Sequence, residues 1–165
     1  MHSQSVIMSE NKISLSKEQV ELIEELAHVN DTMGSQPAMS KIIALLTVSD
    51  ELELTFDQIK DTLDLSKSAV SQALNQLLLT KKVSYKTKIG DRKRYFHIRV
   101  ADWDAQIMEQ FKGVAAMVSV NKKILAKRSA KTKDFNRDFG RMTDFLSLIH
   151  NQVIDLYNMY KKETE

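Results

Sequence analysis

A mainly α-helical chain carrying one small β-hairpin is the fold class the sequence predicts, and three observations predict it. The 165 residues hold one proline and four glycines among abundant Leu, Lys, Glu, Met and Gln, so few positions break a helix. Apolar residues recur at steps of three and four along most of the chain. Between Val83 and Val100 that spacing gives way to alternation, with Val83 and Tyr85 before Gly90-Asp91 and Phe96, Ile98 and Val100 after it. That pattern reads as two strands around a turn, with a loop over about Thr87 to Arg92.

Composition narrows the function classes. The chain is long enough to bury a core, and its apolar fraction of 42% is ordinary for a globular protein. The absence of cysteine excludes disulfides, thiolate metal sites and cysteine nucleophiles, and it suits a reducing compartment. No run approaches the roughly 18 apolar residues of a membrane span, and the opening "MHSQSVIMSENKIS" lacks a basic region followed by an apolar signal core. A cytoplasmic location without membrane partners is expected. The net charge of +2 conceals a segregation. Asp50 to Asp64 is acidic, whereas Lys81 to Arg99 carries eight lysines and arginines against the single Asp91.

The elements follow in order. "SKEQ" is a capping box, in which Ser16 caps a first helix and Gln19 reaches back, and Val20, Ile23, Leu26 and Ala27 form its apolar stripe. Asn30, Asp31, Gly34 and Pro37 are turn formers, and Pro37 fits the first turn of a second, mostly apolar helix, "AMSKIIALLTV". Thr55 and Gln58 form another capping box, opening a short helix with Ile59 and Leu63 inward. Asp64 and Leu65 then link tightly to Ser66, the cap of a further helix. Val70, Ala73, Leu74 and Leu77 lie on one side of that helix, leaving Ser68, Gln72 and Asn75 opposite, with Lys67 and Ser71 at the flanks. Past the hairpin, one stripe joins Trp103, Ile107, Phe111, Val114, Val118 and Leu125. A second runs through Phe135, Phe139, Met142, Leu146, Ile149, Val153, Leu156 and Tyr160 at heptad spacing.

Helix, tight turn, polar-faced helix and basic hairpin, in that order, describe a winged helix-turn-helix. A helix entering the major groove needs short side chains that donate and accept hydrogen bonds, and Ser68, Ser71, Gln72 and Asn75 supply them. The amides of Gln72 and Asn75 suit adenine. Lys67, Lys86, Lys88, Arg92, Lys93 and Arg94 would meet backbone phosphates, or one arginine would enter the minor groove. Each piece alone has a plainer reading, since polar helix faces are often only solvated and edge strands carry lysine against aggregation. Their order and spacing favour double-stranded DNA as the partner.

The stretches "MGSQPAMSKIIALLTV", "LTFDQIKDTLDLSKSAVSQALNQLL" and "GDRKRYF", between Met33 and Ile98, resemble the MarR-type transcriptional regulators and most closely their GbsR-like branch. The resemblance implies DNA contacts for Ser68, Ser71, Gln72, Asn75 and Arg92. It also implies a homodimer, joined by terminal helices, on a roughly palindromic operator. The sequence independently supports dimerisation: the stripes containing Trp103, Phe111, Leu146, Ile149, Val153 and Leu156 offer more apolar face than a small winged domain covers. The alternative is that these helices pack only on one another. The organisation expected is a flexible segment over residues 1–15, a helix contributing to dimerisation over 16–36, a DNA-binding domain over 37–100 and a helical dimerisation region over 101–165.

His2, His28, His97 and His150 lack metal-ligand spacing, and no phosphate-cradling loop or nucleophile elbow occurs. No enzyme, cofactor or metal is expected. GbsR-like regulators include sensors of quaternary ammonium osmolytes, and an aromatic cage can be drawn from Trp103, Phe111, Tyr157 and Tyr160. Aromatics at helical spacing more often form a core or an interface than a cage, so the small-molecule effector stays open. The function expected is a dimeric DNA-binding regulator that represses by occluding a promoter. A winged-helix protein-interaction module and a non-specific architectural DNA binder are the competing classes.

Overall fold

Side-chain caps set where most helices of the first unit begin. In the computed structural model, which describes residues 11–101 and 103–164 apart from the side chain of Gln110, α1 spans Lys17–Thr32. Ser16 Oγ accepts from the Gln19 amide at 3.1 Å, and Gln19 Oε1 accepts from the Ser16 amide at 2.9 Å. Two orphan amides are thereby satisfied. Gly34, at φ 88°, turns the chain into α2, Pro37–Val48, with Pro37 in its first turn. α3, Phe56–Leu63, opens with the Thr55–Gln58 capping box, and α4, Lys67–Leu79, opens with Ser66 Oγ accepting from the Ala69 amide at 3.2 Å.

The sheet has three strands. β1, Leu54–Thr55, joins β2, Val83–Thr87, and β3, Arg94–Ile98, in the order β1-β3-β2, all antiparallel. The alternation pattern marks only β2 and β3, because a two-residue strand such as β1 has no period to detect. Two details of the expected hairpin also differ. β2 keeps Thr87 and β3 starts at Arg94, so the turn is Lys88–Lys93; Val100 lies beyond the strand and is exposed. Past the Ile98–Val83 pair the Arg99 amide still donates to the Lys82 carbonyl at 3.1 Å, and the pairing does not reach Val100.

Phe96 sits at the centre of this sheet, opposite Leu54 on one side and Tyr85 on the other, and it is fully buried. Around it Ile42 and Leu45 of α2, Ile59 of α3, and Val70, Leu74 and Leu77 of α4 form one core, which α1 enters through Ile23 and Ala27. Residues 1–10 of the expected flexible segment lie outside the described residues. Residues 11–15 run against the fold: Ile13 and Leu15 pack on the core, and the Ile13 amide donates to Thr62 Oγ1 at 3.2 Å.

A second unit begins at Ala101. It contains α5, Trp103–Lys127, and α6, Lys133–Thr164, paired as an antiparallel hairpin: Tyr157 Oη donates to Asp104 at one end and Arg128 Nε donates to Asn136 at the other. The expected heptad stripe of α6 straddles the seam rather than filling it. Phe139, Leu146, Ile149 and Val153 are half-buried, while Phe135, Met142, Leu156 and Tyr160 are exposed. The buried line of the seam passes instead through Thr143, beside Gly140, whose missing Cβ would stand 4.0 Å from Leu125 Cδ1.

Because Phe96 ties three strands to the helical core, Phe96→Ala is expected to cost about 3–5 kcal/mol in urea unfolding. Ile89→Ala, at a fully exposed turn position, should change stability by less than about 0.5 kcal/mol.

Candidate nucleic-acid interface

The orientation of α4 follows from how α3 stops. Asp64 takes the left-handed conformation at φ 51°, and the Leu65 amide bonds the Lys60 carbonyl at 3.1 Å, so α3 ends and Ser66 begins α4 within two residues. Burial of Val70, Ala73, Leu74 and Leu77 then directs Ser68, Ser71, Gln72 and Asn75 to solvent, with Lys67 also exposed. Ser68 Oγ lies 3.1 Å from Ser66 Oγ and shares in the cap. Among the described residues, Ser71, Gln72 and Asn75 have no side-chain hydrogen-bond partner, so their donors and acceptors are open to a ligand. Leu79 extends the same face and is 78% exposed, a feature the apolar-stripe reading passed over because it follows two other leucines.

The wing tip is braced. Its turn closes with the Asp91 amide donating to the Lys88 carbonyl at 3.0 Å, and Gly90 occupies the required positive φ at 83°. The Asp91 carboxylate accepts from Tyr95 Oη at 2.5 Å and from the Lys93 amide at 2.8 Å. The Tyr95 hydroxyl, with the Lys93 amide second, holds the Asp91 carboxyl below the usual carboxylate range; the same bond raises the Tyr95 phenol.

The six basic residues expected at the backbone fall into two groups. Lys88 Nζ lies 2.7 Å from Glu53 Oε1 and 3.8 Å from the Tyr95 ring centroid, while the Arg94 guanidinium lies 5.2 Å and 5.4 Å from the Tyr85 and Phe96 rings. These two are engaged within the fold. Lys67, Lys86, Arg92 and Lys93 are exposed with no side-chain ion pair among the described residues. The Lys88 bond lowers the Glu53 carboxyl and raises the Lys88 ammonium. Glu53 belongs to the acidic stretch before α3, so the two oppositely charged segments meet at this pair. An open groove of about 900 Å³ beside it is lined by Glu53, Gln58, Lys86, Lys88, Tyr95 and His97.

The terminal-helix residues singled out earlier lie on the second unit: Trp103 and Leu156 are exposed, and Phe111, Leu146, Ile149 and Val153 are half-buried. Of the four aromatics drawn as a cage, Trp103 and Tyr160 meet edge to face at 5.7 Å, and Tyr157 is bonded to Asp104 at 3.1 Å. Among the described residues, no three His, Asp or Glu side chains could share a metal ion, and no helix is long and apolar enough to cross a membrane.

No family model matches the chain, and no curated protein does. Among solved structures it is similar to one described as a transcriptional regulator, with a TM-score of 0.70 and 19% identity over 88% of this chain and 99% of that one. A complex of MepR from S. aureus with DNA superimposes at a TM-score of 0.38 and 14% identity, over 80% of this chain and 92% of that one. The adhesin competence repressor AdcR of Streptococcus pyogenes does so at 0.38 and 20%, over 84% and 99%. The first of these likenesses is one of fold: the chain has the winged-helix architecture of a solved transcriptional regulator, with six helices and a three-stranded sheet among the described residues.

Since the Asp91 bracing depends on an ionised carboxylate with a depressed pKa, it is present at neutral pH and lost as pH falls through that lowered value. NMR titration of Asp91 should place its midpoint below the ordinary value of about 3.9, and Tyr95→Phe should move it back up. An unchanged midpoint in Tyr95→Phe would show that the hydroxyl does not hold the wing.

Proposed function

We propose that this chain is a sequence-specific DNA-binding transcriptional regulator. The observation that carries the reading is the open, uncharged hydrogen-bonding face of α4, followed directly in the chain by a braced hairpin that presents exposed cations. Ser68, Ser71, Gln72 and Asn75 read base edges in the major groove, where neutral donors and acceptors discriminate between base pairs. Lys67, Lys86, Arg92 and Lys93 contact phosphates directly. Lys88 and Arg94 act at the same surface as partly neutralised or stacked groups that shape the wing, while retaining positive charge toward the duplex. None of these residues forms or breaks a bond, so the reading assigns no enzymatic activity.

The working form is a homodimer that binds a roughly palindromic operator and represses by occluding a promoter. Support for the dimer comes from the second unit, where Phe145, Leu148, Leu156 and Met159 of α6 and Met117, Val120 and Ile124 of α5 are exposed. Apolar surface of that extent favours burial against a second copy. The sequence resemblance to the GbsR-like branch of MarR-type regulators and the shared fold with a transcriptional regulator point the same way. No cofactor is required, the effector class is open, and a cytoplasmic location follows from a partner that is genomic DNA.

Selection of bound duplexes from a random library is expected to recover an inverted repeat with half-site centres about 10 base pairs apart. Gln72→Ala should relax one position of that motif by about 1–3 kcal/mol, whereas Arg92→Ala should weaken all sequences alike and flatten the salt dependence. Retention without any enriched motif would favour an architectural role, and no retention would favour a protein-interaction module. For the dimer, Leu156→Glu should shift the sedimenting species from dimer to monomer; a wild type that already sediments as a monomer would refute it.

A further inference from the structure

The turn joining α5 to α6 carries a second concentration of positive charge. From Lys122 to Arg141 there are eight lysines and arginines against two aspartates. Arg137 is paired with Asp134 at 2.9 Å and Asp138 at 3.0 Å, and Arg128 is bonded to Asn136 at 2.8 Å while lying 4.1 Å from the Phe135 ring. Lys122, Lys123, Lys127, Lys131 and Lys133 are exposed and have no ion pair among the described residues.

Helix electrostatics accounts for only part of this. Lys127 stands in the last turn of α5, where the carbonyl end of the helix favours a cation. Lys122 and Lys123 precede that turn, and Lys133 opens α6, where the dipole disfavours a cation. Packing does not explain them either, because all five side chains are in solvent and repel one another.

The turn is also well ordered by its own contacts. Arg128 bonds Thr132 at 3.2 Å as well as Asn136, and the Asn136 amide donates to the Ser129 carbonyl at 3.0 Å. Lys131 and Lys133 therefore project from a fixed frame. Lys123 and Lys127 stand one helical turn apart, about 6 Å along the axis, with the small Ala116, Ser119 and Ala126 beside them. Val120, Ile124 and Phe135 are exposed nearby, yet the row itself is made of point charges. A protein interface would call for a buried apolar centre, whereas a phosphate backbone needs only regularly placed cations.

We propose that the α5–α6 turn is a second phosphate-binding surface, which takes the backbone of duplex DNA without reading sequence. The identification of duplex as the polyanion rests on the function proposed above; the surface itself does not depend on the wing. It would let one protein hold a DNA segment in addition to the site read by α4.

The test uses the full chain in which the phosphate contacts proposed for α4 and the wing are removed by Lys67→Ala, Lys86→Ala, Arg92→Ala and Lys93→Ala, together with Gln72→Ala. This background should still retain a random-sequence duplex at low salt. Adding Lys123→Gln, Lys127→Gln, Lys131→Gln and Lys133→Gln should abolish that retention, with an unchanged melting temperature. In the otherwise wild-type chain, the four glutamines should lower the salt slope for random duplex by up to about 3.6. If the background retains no duplex while the wild type does, the turn is not a DNA site and the α4 reading stands. If the background binds as well as the wild type and the glutamines abolish it, the turn is the site and the wing reading falls. Residual binding indifferent to the glutamines overturns the proposal. So does turn-dependent capture by phosphatidylserine vesicles but not by duplex.

Discussion

Burial of Phe96 fixes the parity of the sheet. Strand residues alternate between faces, so a shift of one position would move Phe96 to solvent and bring Tyr95 into the core. With Phe96 inward between Leu54 and Tyr85, Tyr95 is held on the outer face opposite Lys86. From there its ring meets Lys88 and its hydroxyl reaches Asp91. One buried aromatic thus determines which charges the hairpin presents and which it keeps. The Glu53–Lys88 pair follows from the same parity, because Glu53 precedes the strand residue that faces Phe96.

Local charge management explains how so basic a hairpin folds without a partner. Asp91 lies amid the wing cations, Glu53 takes up Lys88, and Arg94 lies over two rings. Exposed pairs of this kind contribute little to stability. Their consequence is geometric: they leave Lys86, Arg92 and Lys93 projecting from a turn of defined shape. On α4 the complementary condition holds. The helix buries its apolar side against α2 and the sheet, and its outer side has no charge among the four residues assigned to base reading. Cations placed there would bind any phosphate, whereas neutral amides and hydroxyls respond to the pattern of a base edge.

The parts legible in the sequence were those governed by neighbours a few residues away. Ser16, Thr55 and Ser66 are caps whose partners lie three residues on, and each takes its expected place. The buried set of α4 follows from helical spacing alone. What the sequence concealed depends on distant partners. β1 is too short for periodicity and exists because β3 offers it an edge; Glu53 meets Lys88 only through that pairing. The bond between Asp91 and Tyr95 had a faint signal, two polar groups four apart across a turn, but hairpin register decides whether they face each other. For α6, heptad spacing identified an apolar surface yet not its seam. Thr143 lies on the buried line of that seam, and hydrophobicity alone does not single out a threonine for it.

The most direct measurement of the central claim is amide chemical-shift mapping of the labelled chain during titration with a duplex carrying an inverted repeat. The account predicts that the largest changes fall on α4 between Ser66 and Asn75 and on the wing between Lys86 and Arg94, with the core around Phe96 unmoved. Changes that spare both α4 and the wing while appearing elsewhere would contradict it, since among the described residues no other part of the first unit combines an open hydrogen-bonding helix face with a braced basic turn.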